Sequence, residues 1–205
     1  MQPSLFDDGG LALDPTFATA SRTALDAHSW VELVPGWLSG SAELFDHLLA
    51  TPGWEQRERW VPVGPVPEPR LTIDVADLRA APHPLLRTIA AALSEHYGVE
   101  YDGLWMNLYR DHRDSTGWHG DAASCRRTEC TVPVLSLGAA RRFLVRPAQG
   151  GASTAFSPVS GDLVVMGGRC QRDWVHSVPK QVTGAGPRIS VNFRASSQAR
   201  DDTAG

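Results

Sequence analysis

The spacing of apolar residues changes near residue 100. Before that point it is helical. Leu44, Phe45, Leu48 and Leu49 recur at intervals of three and four behind Ser39 and Ser41, either of which can cap a helix. Leu85, Leu86, Ile89 and Leu93 make a second stripe, entered through Pro84 and ended by Gly98. From Leu104 the period is two: Leu104, Met106 and Leu108 alternate with Trp105, Asn107 and Tyr109. Further strands are predicted at Thr131–Leu137, Arg142–Arg146, Asp162–Met166, Trp174–Val178 and Arg188–Phe193. Helices followed by many short strands predict an α+β fold with a β-sandwich or barrel core, and a jelly roll of the cupin type fits the strand count. Residues 1–22 read as a flexible tail, 23–198 as a single domain and 199–205 as a second tail. Pro62, Pro65, Pro67 and Pro69 predict an extended loop over 61–69.

Composition narrows the class. With 205 residues, 42% of them hydrophobic, the chain can bury one substantial core. No apolar run is long enough to span a bilayer, so no membrane association is expected. The N-terminus carries no basic stretch followed by an apolar one, and three cysteines (Cys125, Cys130, Cys170) cannot all pair. Both point to a cytoplasmic protein with free thiols, with a zinc site using the cysteines as the alternative. Net charge is −4, which argues against a general nucleic-acid binder. Residues 110–146 nonetheless carry seven arginines against four acids, a local +3 that suits either phosphates or a solvated surface.

The candidate chemistry lies on the strands. His119-Gly-Asp121 on extended backbone projects both side chains to one face, and His176 adds a second imidazole 55 residues later. Two histidines and one carboxylate on three positions of a metal leave the opposite face open, the facial arrangement of non-haem Fe(II) oxygenases. In Arg188-Ile-Ser-Val-Asn-Phe-Arg194 the apolar residues share one face, and Arg188, Ser190, Asn192 and Arg194 share the other. Converging inside a barrel, such a polar face can hold a dianion by bidentate pairing. Asn107 and Tyr109 share a face of their own strand and can add polar contacts.

Taken together, Asn107-Leu-Tyr109, Trp118-His119-Gly-Asp121, Ser136-Leu-Gly138 with Arg142-Phe143, His176 and Arg188-x5-Arg194 resemble the AlkB family of Fe(II)- and 2-oxoglutarate-dependent dioxygenases. The resemblance covers roughly residues 100–195. It implies a double-stranded β-helix core preceded by N-terminal helices and a nucleotide-recognition lid over roughly 54–75. It implies Fe(II) held by His119, Asp121 and His176, with 2-oxoglutarate and O2 as cosubstrates. Arg188 would pair with the distal carboxylate of 2-oxoglutarate, assisted by Asn107 and Tyr109, with Ser190 in a further contact position. Arg194 would lie near the metal-bound end and Asp121. The implied reaction is oxidative demethylation of alkylated DNA bases such as 1-methyladenine and 3-methylcytosine, releasing formaldehyde. Trp54, Trp60, Arg70 and Trp118 are the candidates for holding the base. Many members of the family carry an acidic residue just after the metal aspartate, where this chain has Ala122 and Ala123. The same iron chemistry on RNA or a non-nucleic substrate, or a non-catalytic jelly-roll binding module, are the alternative readings. A monomer is expected. Gln2-Pro-Ser-Leu5-Phe6 resembles the peptide that binds the bacterial sliding clamp, which makes Gln2, Leu5 and Phe6 a candidate partner site.

Overall fold

The computed structural model describes residues 10–121 and 125–199, so Gln2, Leu5, Phe6, Ala122 and Ala123 lie outside the described residues. In chain order the elements are β1 (Ala12–Leu13), β2 (Ser21–Ala24), β3 (Ser29–Val34), β4 (Leu38–Ser39), α1 (Ser41–Ala50), β5 (Glu58–Val61), β6 (Gly64–Pro67) and β7 (Leu71–Val75). There follow α2 (Leu85–Tyr97), β8 (Gly103–Tyr109), β9 (Thr116–His119), β10 (Val132–Gly138), β11 (Phe143–Pro147), β12 (Thr154–Phe156), β13 (Leu163–Gly168), α3 (Cys170–Asp173), β14 (Trp174–Val178) and β15 (Arg188–Arg194). The larger sheet has seven strands in the order β2-β3-β13-β10-β15-β8-β7. The smaller has four, β12-β11-β14-β9. Every pairing is antiparallel. This is the predicted double-stranded β-helix.

Each strand of the larger sheet divides its residues between two environments. Ile189, Val191 and Phe193 of β15, with Leu104, Met106 and Leu108 of β8, pack in one cluster with Leu44 and Leu48 of α1 and Leu86, Ile89 and Leu93 of α2. The helices thus cover the outer face of the sheet. Burying each of those side chains contributes about 1.5–3 kcal/mol, far more than helix propensity alone. The alternate residues turn inward. Tyr109, Val132, Val134, Val164 and Met166 of the larger sheet meet Phe143, Val145 and Val178 of the smaller. Asn107 of β8 and Arg188, Ser190 and Asn192 of β15 also point inward, into the space between the sheets.

Several expectations change. The N-terminal tail is structured from residue 10: Leu11 and Phe17 are buried in the helix-side core, β1 pairs with β4, and β2 extends the larger sheet. The proline-rich stretch is the two-stranded hairpin β5–β6, with Pro67 opposite Glu58 and Pro65 opposite Trp60. An isolated hairpin has free edges, where a missing N–H costs no ladder bond. The far end of the expected lid is β7, the edge strand of the larger sheet. Helix α1 starts after Gly40 with no side-chain cap, in place of the expected serine caps. Helix α2 ends as expected at Gly98, which takes the left-handed conformation (φ 66°). Among the described residues no helix is long and apolar enough to cross a membrane.

Candidate active site

His119 ends β9 and is the cross-strand partner of His176 in β14, so the register alone brings the two imidazoles together, with ring centroids 4.2 Å apart. Asp121 follows two residues on. Its two carboxylate oxygens lie 3.6 Å from His119 Nε2 and 3.5 Å from His176 Nε2. All three candidate ligand atoms fall within 4.8 Å of one another. The nitrogen–oxygen separations are too long for hydrogen bonds. They suit atoms placed around a shared ion at about 2.1 Å from each. His119 Nδ1 donates to the Gly117 carbonyl at 2.8 Å, which leaves Nε2 as the free lone pair. His176 is buried, and desolvation lowers its pKa to about 4 against the opposing pull of Asp121, so the imidazole is neutral as ligation requires.

Asp121 is braced from the other side. Its backbone N–H donates to Gln171 Oε1 at 2.9 Å, and Gln171 Nε2 contacts Met166 Sδ at 3.4 Å. The turn of α3 presses so closely that a Cβ at Gly120 would lie 3.1 Å from the Gln171 carbonyl oxygen. Five residues beyond Gln171 the chain reaches the middle of β14 and places His176.

A cavity of about 160 Å³ separates these ligands from the inner face of the larger sheet, lined there by Asn107, Tyr109, Arg188, Ser190 and Asn192 among others. Arg188 is only 3% exposed. Its Nη2 donates to Ser136 Oγ at 2.9 Å, while Nε and Nη1 are buried without a partner. Unpaired buried donors on a cation are costly. They are the feature a carboxylate of a bound cosubstrate would complete. Arg188 also stands 5.4 Å from the Tyr109 ring centroid, and the Tyr109 hydroxyl bonds Thr116 Oγ1 at 2.8 Å. Asn107 Oδ1 accepts from Arg70 Nε at 3.0 Å, and its Nδ2 donates to Ser190 Oγ at 3.3 Å.

Not every expected residue joins this group. Arg194 is absent from the cavity wall: its guanidinium pairs with Asp74 of β7 at 2.6 Å instead of approaching Asp121. Trp54 packs on the helix-side core and donates to the Leu48 carbonyl at 3.1 Å, so it is a structural side chain. Trp60, 81% exposed on β5, and Trp118, on the outer face of β9 beneath Arg146, also stand outside the cavity lining. Arg70 does line it, along with Arg57. A further aromatic side chain that faces the cavity beside Asn107 is Trp105, and its position two residues before Asn107 on the same strand face was a signal for it. Arg141 and Gln171 carried no such signal. The free-thiol and zinc readings also fail for one pair: Cys125 and Cys130 form a disulfide with Cα atoms 6.0 Å apart, and Cys170 is the free, buried cysteine.

Two histidines and an aspartate at the rim of a double-stranded β-helix, facing a buried arginine with unmet donors, define a non-haem metal oxygenase site that takes a carboxylate cosubstrate. Residues 59–194 match the 2OG-Fe(II) oxygenase superfamily. The chain is 31% identical over 188 residues to the alpha-ketoglutarate-dependent dioxygenase alkB homolog 3 of Mus musculus, covering 81% of this chain and 66% of that protein. It is 36% identical over 121 residues to the homologous protein of Homo sapiens, covering 55% of this chain and 42% of that one. It is 26% identical over 134 residues to the DNA oxidative demethylase ALKBH2 of Arabidopsis thaliana, covering 54% and 43% respectively. The fold of OsALKBH1 superposes with a TM-score of 0.59 at 14% identity, over 85% of this chain and all of that one. A prolyl hydroxylase from Trichoplax adhaerens gives the same TM-score at 9% identity, over 82% of this chain and 85% of that one. The chain belongs to the AlkB family of the 2OG-Fe(II) oxygenase superfamily, whose members use Fe(II), 2-oxoglutarate and O2. The matched region spans under two thirds of the length of those mammalian relatives.

Proposed function

We propose that the protein oxidatively demethylates alkylated nucleobases in DNA, with lesions of the 1-methyladenine and 3-methylcytosine kind as substrates. The observation that carries this reading is the pairing across one cavity of the His119, Asp121 and His176 set with Arg188, whose Nε and Nη1 are unmet. The names of its AlkB relatives, among them a DNA oxidative demethylase, support the substrate class.

Iron, 2-oxoglutarate and O2 together supply an oxidant able to hydroxylate an N-linked methyl, and the hydroxymethyl product releases formaldehyde and the repaired base. The chain's own contribution is positioning. Arg188 binds the distal carboxylate of 2-oxoglutarate through the two donors that now lack partners, with Ser136 fixing the third nitrogen. Asn107 and Tyr109 wall the same end, and Ser190 bonds Asn107. His119, Asp121 and His176 hold the metal at the opposite wall, the histidines neutral. Phe143, Val134, Met166 and Val178 give the cavity apolar stretches that keep bulk water from the reacting methyl. Arg57 and Arg70 bring positive charge to the cavity wall, which suits a strand of phosphates. The test is formaldehyde release from a DNA oligonucleotide carrying 1-methyladenine, with Fe(II) and 2-oxoglutarate. RNA and unmethylated DNA run alongside. Turnover of 2-oxoglutarate without formaldehyde from any methylated nucleic acid would discard the substrate and keep the chemistry.

A further inference from the structure

The two guanidiniums at the Tyr109 ring have no carboxylate between them. Arg141, in the turn between β10 and β11, is 1% exposed and stands 5.4 Å from the Tyr109 ring centroid, the same distance as Arg188. Neither arginine makes an ion pair among the described residues. Arg141 donates instead to three backbone carbonyls: Asp111 at 2.9 Å, Asp114 at 2.6 Å and Pro179 at 2.9 Å. Those carbonyls belong to the β8–β9 connection and to the residue after β14. One side chain therefore ties together the ends of the strands that carry Tyr109, His119 and His176. It does so from outside the cavity, whose lining includes Tyr109 and Arg188 but not Arg141.

Two buried positive charges sharing one aromatic ring repel each other, and each has lost its water. Backbone carbonyl dipoles offset part of that cost for Arg141, and Ser136 offers Arg188 a single hydroxyl. Asp114 and Asp111 offset part of the charge on Arg141 without pairing with it, and an anion in the cavity would relieve the positive field that remains. We propose that Arg141 is a positioning residue for the distal carboxylate of 2-oxoglutarate, acting through Tyr109 and Arg188 and selecting a dicarboxylate over a monocarboxylate 2-oxoacid. This inference rests on the assignment of Arg188 to that carboxylate.

The experiment is calorimetric titration of the Mn(II)-loaded protein with 2-oxoglutarate and with 2-oxopentanoate, which has the same carbon chain and lacks the distal charge. Arg141→Met should weaken 2-oxoglutarate about tenfold, as expected for removing one charge several ångströms away in a partly screened interior. It should leave 2-oxopentanoate within about twofold. Arg141→Lys, which keeps the charge, should retain most of the selectivity. Should Arg141→Met fail to fold by circular dichroism, Arg141→Gln drops the charge but keeps two N–H donors for the carbonyls, and the same comparison applies. Equal weakening of both ligands would reduce Arg141 to a structural tie and overturn the proposal, as would no change in either. Arg188→Ala is run beside them. If it leaves 2-oxoglutarate binding intact, the assignment of Arg188 falls. If it weakens binding and the charge-removing Arg141 variant does not, only the present inference falls.

Discussion

Arg194 reaches Asp74 by crossing directly over the backbone of Gly103: a Cβ at that position would stand 2.8 Å from Arg194 Nε. The same Cβ would lie 3.0 Å from the Ala76 carbonyl oxygen and 3.1 Å from that of Val75. Glycine at 103 leaves the guanidinium room to lie in that position. Gly103→Ala should displace the guanidinium and cost on the order of 1 kcal/mol, from overpacking against those carbonyls. Urea denaturation measures the loss. Affinity for 2-oxoglutarate should not change, because Arg194 stands away from the cavity. A large drop in that affinity would return Arg194 to the cosubstrate and make the Asp74 pairing incidental.

His119→Ala and His176→Ala should each abolish tight metal binding while the fold persists. Each removes one ligand of three, and neither imidazole anchors a core cluster. Visible absorption on adding Co(II) reads the metal, and circular dichroism reads the fold. A Co(II) spectrum like the wild type's in either variant would remove that histidine from the ligand set.

Gln171→Leu keeps roughly the volume of the side chain and loses the acceptor for the Asp121 N–H. Losing such an outer hydrogen bond weakens metal binding by about 10–100-fold in known sites. The same range is expected here by Co(II) titration. At saturating metal, 2-oxoglutarate affinity should match the wild type. An unaltered Co(II) affinity would mean that the strand end at Asp121 is held without Gln171.

Cys170 gives a prediction in alkali. Burial raises its thiol from the ordinary value of 9.0 to about 12. Below pH 9 the thiol is protonated in both folded and unfolded chains, and its contribution to stability is complete. As pH rises from 9 towards 12 the unfolded chain releases the proton and the folded one retains it, so stability falls by about 1.4 kcal/mol per pH unit. Cys170→Ala should lack this component, seen as a shallower decline in melting temperature over that interval than in the wild type. Parallel curves for the two proteins would assign the alkaline loss elsewhere.

The sequence made the metal set legible because ligation needs rare residue types at a fixed period. His119 and Asp121 satisfy the strand period of two, and His176 sits in an obvious strand. Arg188 was legible for a similar reason, as the start of a polar face on a strand otherwise made of Ile, Val and Phe. What stayed hidden was decided by partners far away in the chain. Arg194 looked equivalent to Arg188 until Asp74, on an edge strand 120 residues earlier, claimed it. Trp54 resembled a stacking platform, yet its indole N–H is satisfied six residues back. Arg141 could not be told from its exposed neighbour Arg142, because three carbonyls from two remote loops determine which of them is buried. β3 escaped notice because it shows no clean alternation. It lies inside the sheet with both faces covered, so Trp30, Val31, Leu33 and Val34 are all apolar.

The division of labour between the two sheets has a thermodynamic consequence. The metal ligands hang from β9 and β14 of the smaller sheet, and Arg188 projects from β15 of the larger. A molecule that chelates the metal at one end and engages Arg188 at the other is therefore a strut across the sandwich. It joins layers that otherwise meet through side-chain packing and a few hydrogen bonds such as Tyr109 to Thr116. Metal and cosubstrate bound in that way would show positive linkage, each raising the affinity for the other by the same factor. Pulling the sheets apart would require releasing the strut, so the loaded protein should resist unfolding by more than the separate contributions of metal and 2-oxoglutarate.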